Sequence, residues 1–172
     1  MKKFFINIKP YFLRLFSKKE QVLGEILKER KLTISTTESC TGGLLSSRLT
    51  DISGSSSFVF KNFVTYSNEA KHELLGVKEE TLKIYGAVSE QCASEMAKGL
   101  YDITGCDITI ATTGIAGPLG DENKPVGLIY VGICYQEKIS VKKFNFNPSV
   151  TRKNMKFLFT QAAIDFALEI LG

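Results

Sequence analysis

Apolar residues recur along this chain at two periods, and the alternation between them predicts its elements. Val22, Leu23, Ile26 and Leu27 fall at helical spacing and predict a helix over 20–30. The β-branched run Leu32-Thr33-Ile34-Ser35-Thr36 reads as a strand, and Leu44, Leu45 and Leu49 return to helical spacing. A polar stretch rich in turn residues, 51–57, ends that helix. Aromatic and β-branched residues over 58–66 predict a second strand. Two short helices follow, 69–76 and 78–85, each closed by a glycine, Gly76 and Gly86, with Asn68 placed to cap the first. Ser89 caps a longer helix over 90–104, with Cys92, Met96, Leu100 and Ile103 inward. A strand over 107–112, a glycine-rich loop, a buried strand over 128–135 and an alternating hairpin partner over 138–146 come next. The last helix, 151–171, turns Phe157, Leu158, Ala162, Ile164, Phe166, Leu168 and Leu171 largely inward. Strands alternating with helices predict one α/β domain, a three-layer-like sandwich whose mixed, mostly parallel sheet is flanked by helices. The hairpin near the C-terminus supplies the antiparallel part.

Composition changes this picture little. The chain has 172 residues, 44% hydrophobic and 23% charged, which suits one globular domain with a proper core. The net charge of +4 is uneven. Lys2, Lys3, Lys9, Arg14, Lys18 and Lys19 stand before any acid, and the remainder is close to neutral, so charge does not mark a nucleic-acid surface. Residues 1–18 therefore form a basic aromatic arm ahead of a domain over 19–172. Asn7, Lys9, Pro10 and Arg14 break the arm's apolar run, and no small-residue cleavage site follows, so it does not read as a signal peptide. It is also too short and too charged to cross a bilayer. An arm that packs on the domain or on a partner subunit is the favoured reading. A basic amphipathic segment touching a membrane surface is the other. Four cysteines at 40, 92, 106 and 134 lack metal or disulfide spacing, which fits reduced, buried thiols in the cytoplasm. His72 is the one histidine, which argues against an imidazole metal site.

The chemistry concentrates at Thr37-Glu38-Ser39-Cys40-Thr41-Gly42-Gly43, between the first strand and the second helix. A turn there lifts Ser39 clear of the sheet and aims the free N–H groups of the helix start at whatever lies above. The Ser39 hydroxyl can serve as nucleophile, helix cap or phosphate ligand. An amide hydrolase needs a nucleophile, a base and donors for the oxyanion. His72 lies mid-helix without an orienting acid, so no Ser-His-Asp set is evident. A lysine whose pKa is lowered by burial can replace the imidazole. Lys71 is the best placed, with Tyr66 ending the strand just before its helix. Their plain readings are a solvated helix lysine and an amphipathic sheet-edge tyrosine. Glycines at 42–43, 114, 117 and 120 allow the backbone to approach an anionic ligand, or mark only turns.

These residues carry a resemblance. Thr37-Glu38-Ser39-Cys40-Thr41-Gly42-Gly43 and Val64-Thr65-Tyr66-Ser67-Asn68-Glu69-Ala70-Lys71 are similar to the hallmark blocks of the CinA C-terminal domain family, the nicotinamide-nucleotide amidases. So are Leu75-Gly76-Val77, Gly86-Ala87-Val88-Ser89, Gly114-Ile115-Ala116-Gly117-Pro118 and Lys124-Pro125-Val126-Gly127, over roughly residues 20–171. The resemblance implies hydrolysis of the carboxamide of nicotinamide mononucleotide to nicotinic acid mononucleotide and ammonia, in pyridine-nucleotide recycling. It implies serine chemistry without metal or cofactor: Ser39 attacks and Lys71, with Tyr66 nearby, handles the proton. Glu38, Cys40, Thr41, Gly42, Thr113 and Gly114 would line the substrate site. Backbone N–H groups near Cys40 and Thr41, or in the Thr113-Gly114 loop, would hold the oxyanion. Arg152 would meet the phosphate.

Two departures stand out: Thr113 replaces the family's serine, and Val150-Thr151 precedes Arg152 where the family has Gly-Asp. No segment resembles the nucleotide-processing domain that precedes this module in longer relatives, so no pyrophosphatase activity is carried over. A homo-oligomer is expected from the family's habit and the arm. A non-catalytic oligomerisation or interaction module, and an amidase acting on another small amide, are the competing readings.

Overall fold

The structure, a computed structural model, describes residues 17–120 and 123–172. Of the expected arm, residues 1–16 lie outside the described residues. The elements in order are α1 (Ser17–Glu29), β1 (Ile34–Glu38), α2 (Leu44–Thr50), a 3-10 turn (Ser55–Ser57), β2 (Val59–Val64), α3 (Asn68–Leu75), α4 (Glu79–Ile84), α5 (Glu90–Thr104), β3 (Ile108–Gly114), β4 (Leu128–Tyr135), β5 (Lys138–Asn145) and α6 (Arg152–Leu171).

The five strands form one sheet in the order β2-β1-β3-β4-β5. β1 pairs in parallel with β2 and β3, and β4 pairs antiparallel with β3 and β5, so β4 alone runs against the rest. The expected mixed, mostly parallel sandwich is what forms. On one face, Leu23 and Leu27 of α1, Leu45 and Leu49 of α2 and Phe159 and Ile164 of α6 join Ile34, Ile108, Ile110 and Val131 in the larger core. Burying each such side chain contributes about 1.5–3 kcal/mol. On the other face, Leu75 and Val77 at the end of α3, and Cys92, Met96, Ala97 and Leu100 of α5, pack on Ala111 and Cys134.

Glycines set how deeply α5 sinks. A Cβ at Gly132 of β4 would lie 2.3 Å from the Ala93 carbonyl oxygen, and one at Gly99 of α5 would lie 1.8 Å from that of Leu75. Neither position has room for a side chain.

β1 is buried along its whole length although its sequence is Ile-Ser-Thr-Thr-Glu. Its central place in the sheet demands this, and its hydroxyls are paired accordingly. Thr36 Oγ1 lies 2.7 Å from Ser46 Oγ, and Thr37 Oγ1 lies 2.9 Å from Thr65 Oγ1. Buried polar groups persist only when satisfied in this way.

Two local expectations need correction. Ser67, not Asn68, caps α3: its Oγ accepts the Ala70 N–H at 3.1 Å from an extended backbone. Ile103 is exposed, because it sits at the edge of the arc that Cys92, Met96, Leu100 and Thr104 bury.

Candidate active site

The parallel strands β1, β2 and β3 end on the same edge of the sheet, where ligands of open α/β sheets commonly bind. Ser39 follows β1, Tyr66 follows β2, and the loop from Gly114 follows β3. The strand ends are locked together: Ser39 N–H donates to Thr112 O at 3.0 Å, and Thr65 N–H donates to Glu38 O at 3.0 Å.

Ser39 does not cap α2. The cap position is Gly43 in the left-handed region, φ 89°, with no side-chain bond. Glu38 turns inward instead, fully buried. Its carboxylate accepts Leu45 N–H at 2.9 Å, Ser46 N–H at 2.7 Å and Ser46 Oγ–H at 2.6 Å. The N–H groups of the α2 start, which the sequence aims at a ligand, are therefore taken within the fold, those of Leu45 and Ser46 by Glu38 and that of Leu44 by Thr41 O at 3.3 Å. Glu38 belongs to the floor beneath the turn and does not face the cleft. The turn leaves the Ser39 side chain half-buried and free of capping duty.

Lys71 is the partner of Ser39. Only 1% exposed, it is not a solvated helix lysine. Its Nζ lies 3.2 Å from Ser39 Oγ and donates to the carbonyls of Thr65 at 3.1 Å, Tyr66 at 3.2 Å and Ser67 at 3.4 Å. Burial lowers its pKa from the usual 10.5, since desolvation disfavours the ammonium, while the nearby Cys92 and Cys40 thiols act in the opposite direction. The cradle of three carbonyls comes from the turn between β2 and α3, within the Val64–Lys71 block, where the sequence pointed to the side chains and not to the backbone.

Tyr66 reaches this pair through its backbone carbonyl alone. Its side chain is 62% exposed, and its hydroxyl accepts from Arg152 Nη2 at 3.1 Å across the cleft. Arg152 Nη1 donates to Gly117 O at 2.6 Å. Ser39, Cys40, Tyr66, Gly114 and Arg152 thus share a cleft of about 240 Å³ with residues of the loop 115–120. Gly114 is needed there, since a Cβ would lie 2.5 Å from Leu128 O.

The remaining sequence candidates have other duties. Cys40 lines the cleft, but burial pushes its thiol up to about 12, which leaves it a poor nucleophile. Thr41 Oγ1 pairs with Thr112 Oγ1 at 2.8 Å in the interior. Thr113 Oγ1 donates to Ala87 O at 2.6 Å, and Lys124 Nζ donates to Tyr85 O at 2.8 Å, so both residues hold the segment around Gly86. Gly42 is exposed beside the cleft with φ 60°. Its N–H closes the turn onto Ser39 O at 3.2 Å, while Thr41 N–H has no acceptor among the described residues. His72 lies on the outer side of α3, its Nδ1 2.8 Å from Val77 O and its Nε2 3.8 Å from Glu79. Among the described residues, no three His, Cys, Asp or Glu are grouped to hold a metal ion. None of the described helices is long and apolar enough to cross a membrane.

Known proteins are similar to this chain in sequence and fold. A CinA-like protein of Chloroherpeton thalassium is 49% identical over 156 residues, covering 89% of this chain and 37% of that protein. The chain spans about a third of the length of such curated relatives. A CinA superfamily protein from Klebsiella pneumoniae superposes with a TM-score of 0.87 at 31% identity, over 91% of this chain and 97% of the other. The competence/damage inducible protein CihA from Agrobacterium tumefaciens gives 0.85 at 35% identity, over 91% and 94%. The family profile described as the CinA C-terminal domain matches residues 16–171, and the chain belongs to that family.

Proposed function

We propose that the chain is a nicotinamide-nucleotide amidase, hydrolysing the carboxamide of nicotinamide mononucleotide to nicotinic acid mononucleotide and ammonia. The observation that carries this reading is the Ser39–Lys71 pair, 3.2 Å apart, at the end of a cleft whose far rim bears Arg152. A buried amine with a lowered pKa beside an uncommitted hydroxyl is the arrangement a serine nucleophile needs when no imidazole serves it.

In this mechanism neutral Lys71 takes the Ser39 proton as Oγ bonds to the carboxamide carbon. The C=O electron pair moves onto oxygen, where backbone N–H groups of the Cys40-Thr41 turn or of the Thr113-Gly114 loop would meet the oxyanion. As the tetrahedral adduct collapses, the C–N bond breaks and the Lys71 ammonium gives its proton to the departing amide nitrogen, which leaves as ammonia. A water then adds to the acyl ester, giving a proton to Lys71; as the bond from the acyl carbon to Oγ breaks, Lys71 returns that proton to Ser39 Oγ, and the acid product leaves. Neither a metal nor a cofactor enters the scheme. Tyr66 serves through its carbonyl, which helps fix Lys71, and through its ring and hydroxyl at the rim. The setting that goes with this activity is recycling of pyridine nucleotides in the cytoplasm, by a homo-oligomer.

The test is ammonia release from nicotinamide mononucleotide by the purified protein, with and without EDTA, beside Ser39→Ala. Release that survives EDTA and disappears in the folded variant is the expected result. A folded Ser39→Ala protein with wild-type turnover overturns the assignment of the nucleophile. Absence of release from the wild type points to another small amide or to a non-catalytic module.

A further inference from the structure

Three consecutive residues of the turn that carries Ser39 are tied to one residue of β3. Thr112 O accepts the Ser39 N–H at 3.0 Å. Thr112 Oγ1 pairs with Thr41 Oγ1 at 2.8 Å, and the same side chain hydrogen-bonds the Cys40 thiol. Thr112 is fully buried. It lies opposite Glu38, the last residue of β1, on one side and Val131 of β4 on the other. It is therefore fixed in the middle of the sheet, where backbone opens least. Beyond Thr41 the next anchor is Leu45, where Glu38 begins to hold α2. Gly42 and Gly43 between them stand at φ 60° and 89° and contribute no side chain to hold the turn. The other member of the reacting pair is held separately, since Lys71 Nζ is fixed by three carbonyls of the β2–α3 turn. The 3.2 Å between that Nζ and Ser39 Oγ is at the long end for a hydrogen bond, so a small outward shift of the Ser39 turn breaks it.

We infer that Thr112 is a positioning residue for the nucleophile: its hydroxyl, bonded to Thr41, keeps Ser39 Oγ within reach of Lys71 Nζ. This deepens the amidase reading and rests on it for the reaction that Ser39 performs. Thr112 touches neither the cleft nor the reacting atoms. It acts through the turn, with its carbonyl on Ser39 and its side chain on Cys40 and Thr41. Two independently anchored groups react well only when both anchors hold, and a misplacement of about 1 Å can cost about 100-fold in rate.

The test compares Thr112→Val, which keeps the shape and removes the hydroxyl, with Thr112→Ser, which keeps the hydroxyl. Thr41→Val breaks the same bond from the turn and serves if Thr112→Val does not fold. One readout is kcat and KM for ammonia release from nicotinamide mononucleotide. The other is the rate at which phenylmethylsulfonyl fluoride captures Ser39, located by peptide mass with Ser39→Ala as control. In that capture Oγ bonds to sulfur, the S–F bond breaks, fluoride leaves and Lys71 takes the hydroxyl proton. Thr112→Val should lower kcat and the capture rate by about tenfold or more with KM little changed. Thr112→Ser should restore both, and adding Thr41→Val to Thr112→Val should cost nothing further, because the shared bond is already lost. A lower Tm with unchanged kcat and capture means that Thr112 is only structural and overturns the inference. Equal losses in the Val and Ser variants, or a change in KM alone, overturn it too, as does a wild type that neither hydrolyses the amide nor is captured at Ser39. Capture that depends on the Thr112 hydroxyl, in a protein that releases no ammonia, sinks the amidase reading and leaves the positioning role standing.

Discussion

Replacing Lys71 by Met keeps a long, unbranched side chain in the buried channel but removes the nitrogen that faces Ser39 Oγ. A lysine with the ordinary pKa of 10.5 is neutral in only about one molecule in a thousand at pH 7.5. Burial of Lys71 lowers that pKa, and each unit multiplies the neutral fraction by about ten. The rate of amide hydrolysis should therefore climb with pH at a log slope of about one, and level at a midpoint below 10.5. Loss of a general base typically costs about 100- to 10,000-fold in rate. Lys71→Met should fall by that much and lose the pH limb. Lys71→Arg should be equally poor, because a guanidinium does not give up its proton. Initial rates of ammonia release across the neutral and alkaline range, with urea melts to confirm folding, provide the assay. The same groups give a second reading in stability. Between the folded pKa of Lys71 and 10.5, the unfolded chain holds this proton more tightly, so stability rises with pH through that window. Below the window the cost of burying the ammonium is fully present. The wild-type unfolding free energy, minus that of Lys71→Met, should grow accordingly. A folded Lys71→Met protein that keeps the wild-type pH limb refutes the assignment of the base.

Glu38→Ala removes three charge-assisted hydrogen bonds and leaves the Leu45 and Ser46 N–H groups without their acceptor, so it should cost about 3–5 kcal/mol in urea unfolding. Gly99→Ala drives a Cβ into the Leu75 carbonyl oxygen and should cost at least about 1–3 kcal/mol, despite alanine's better helix propensity. The Cys40 and Cys92 thiols stay protonated in the fold, pushed up to about 12 and about 11, whereas in the unfolded chain they ionise near 9.0. Stability contributed by each should fall as pH rises above 9.0, by about 1.4 kcal/mol per pH unit per thiol, and Cys40→Ala should flatten that decline by one thiol.

The order of helices and strands was legible in the sequence because periodicity and caps are local. Leu23 and Leu27 mark α1, Ser89 marks the start of α5, and the alternation over 138–146 marks β5, each without reference to distant residues. Ser39 was legible as a residue on a strand-to-helix turn, and Lys71 as a lysine in the helix after the second strand. What each side chain faces was not legible. Glu38 and Ser39 are neighbours, yet one seals the start of α2 from below and the other opens to the cleft, which depends on how β1 sits between β2 and β3. Lys71 reads as a surface lysine until packing of α3 buries it under three carbonyls. The tyrosine before it was expected at the proton and lies at the rim, because Arg152, 86 residues away, holds its hydroxyl. Sequence determined the elements, since their signals lie within a few turns of chain. Tertiary structure decided the site, since its contacts join residues that only the folded sheet brings within hydrogen-bonding distance.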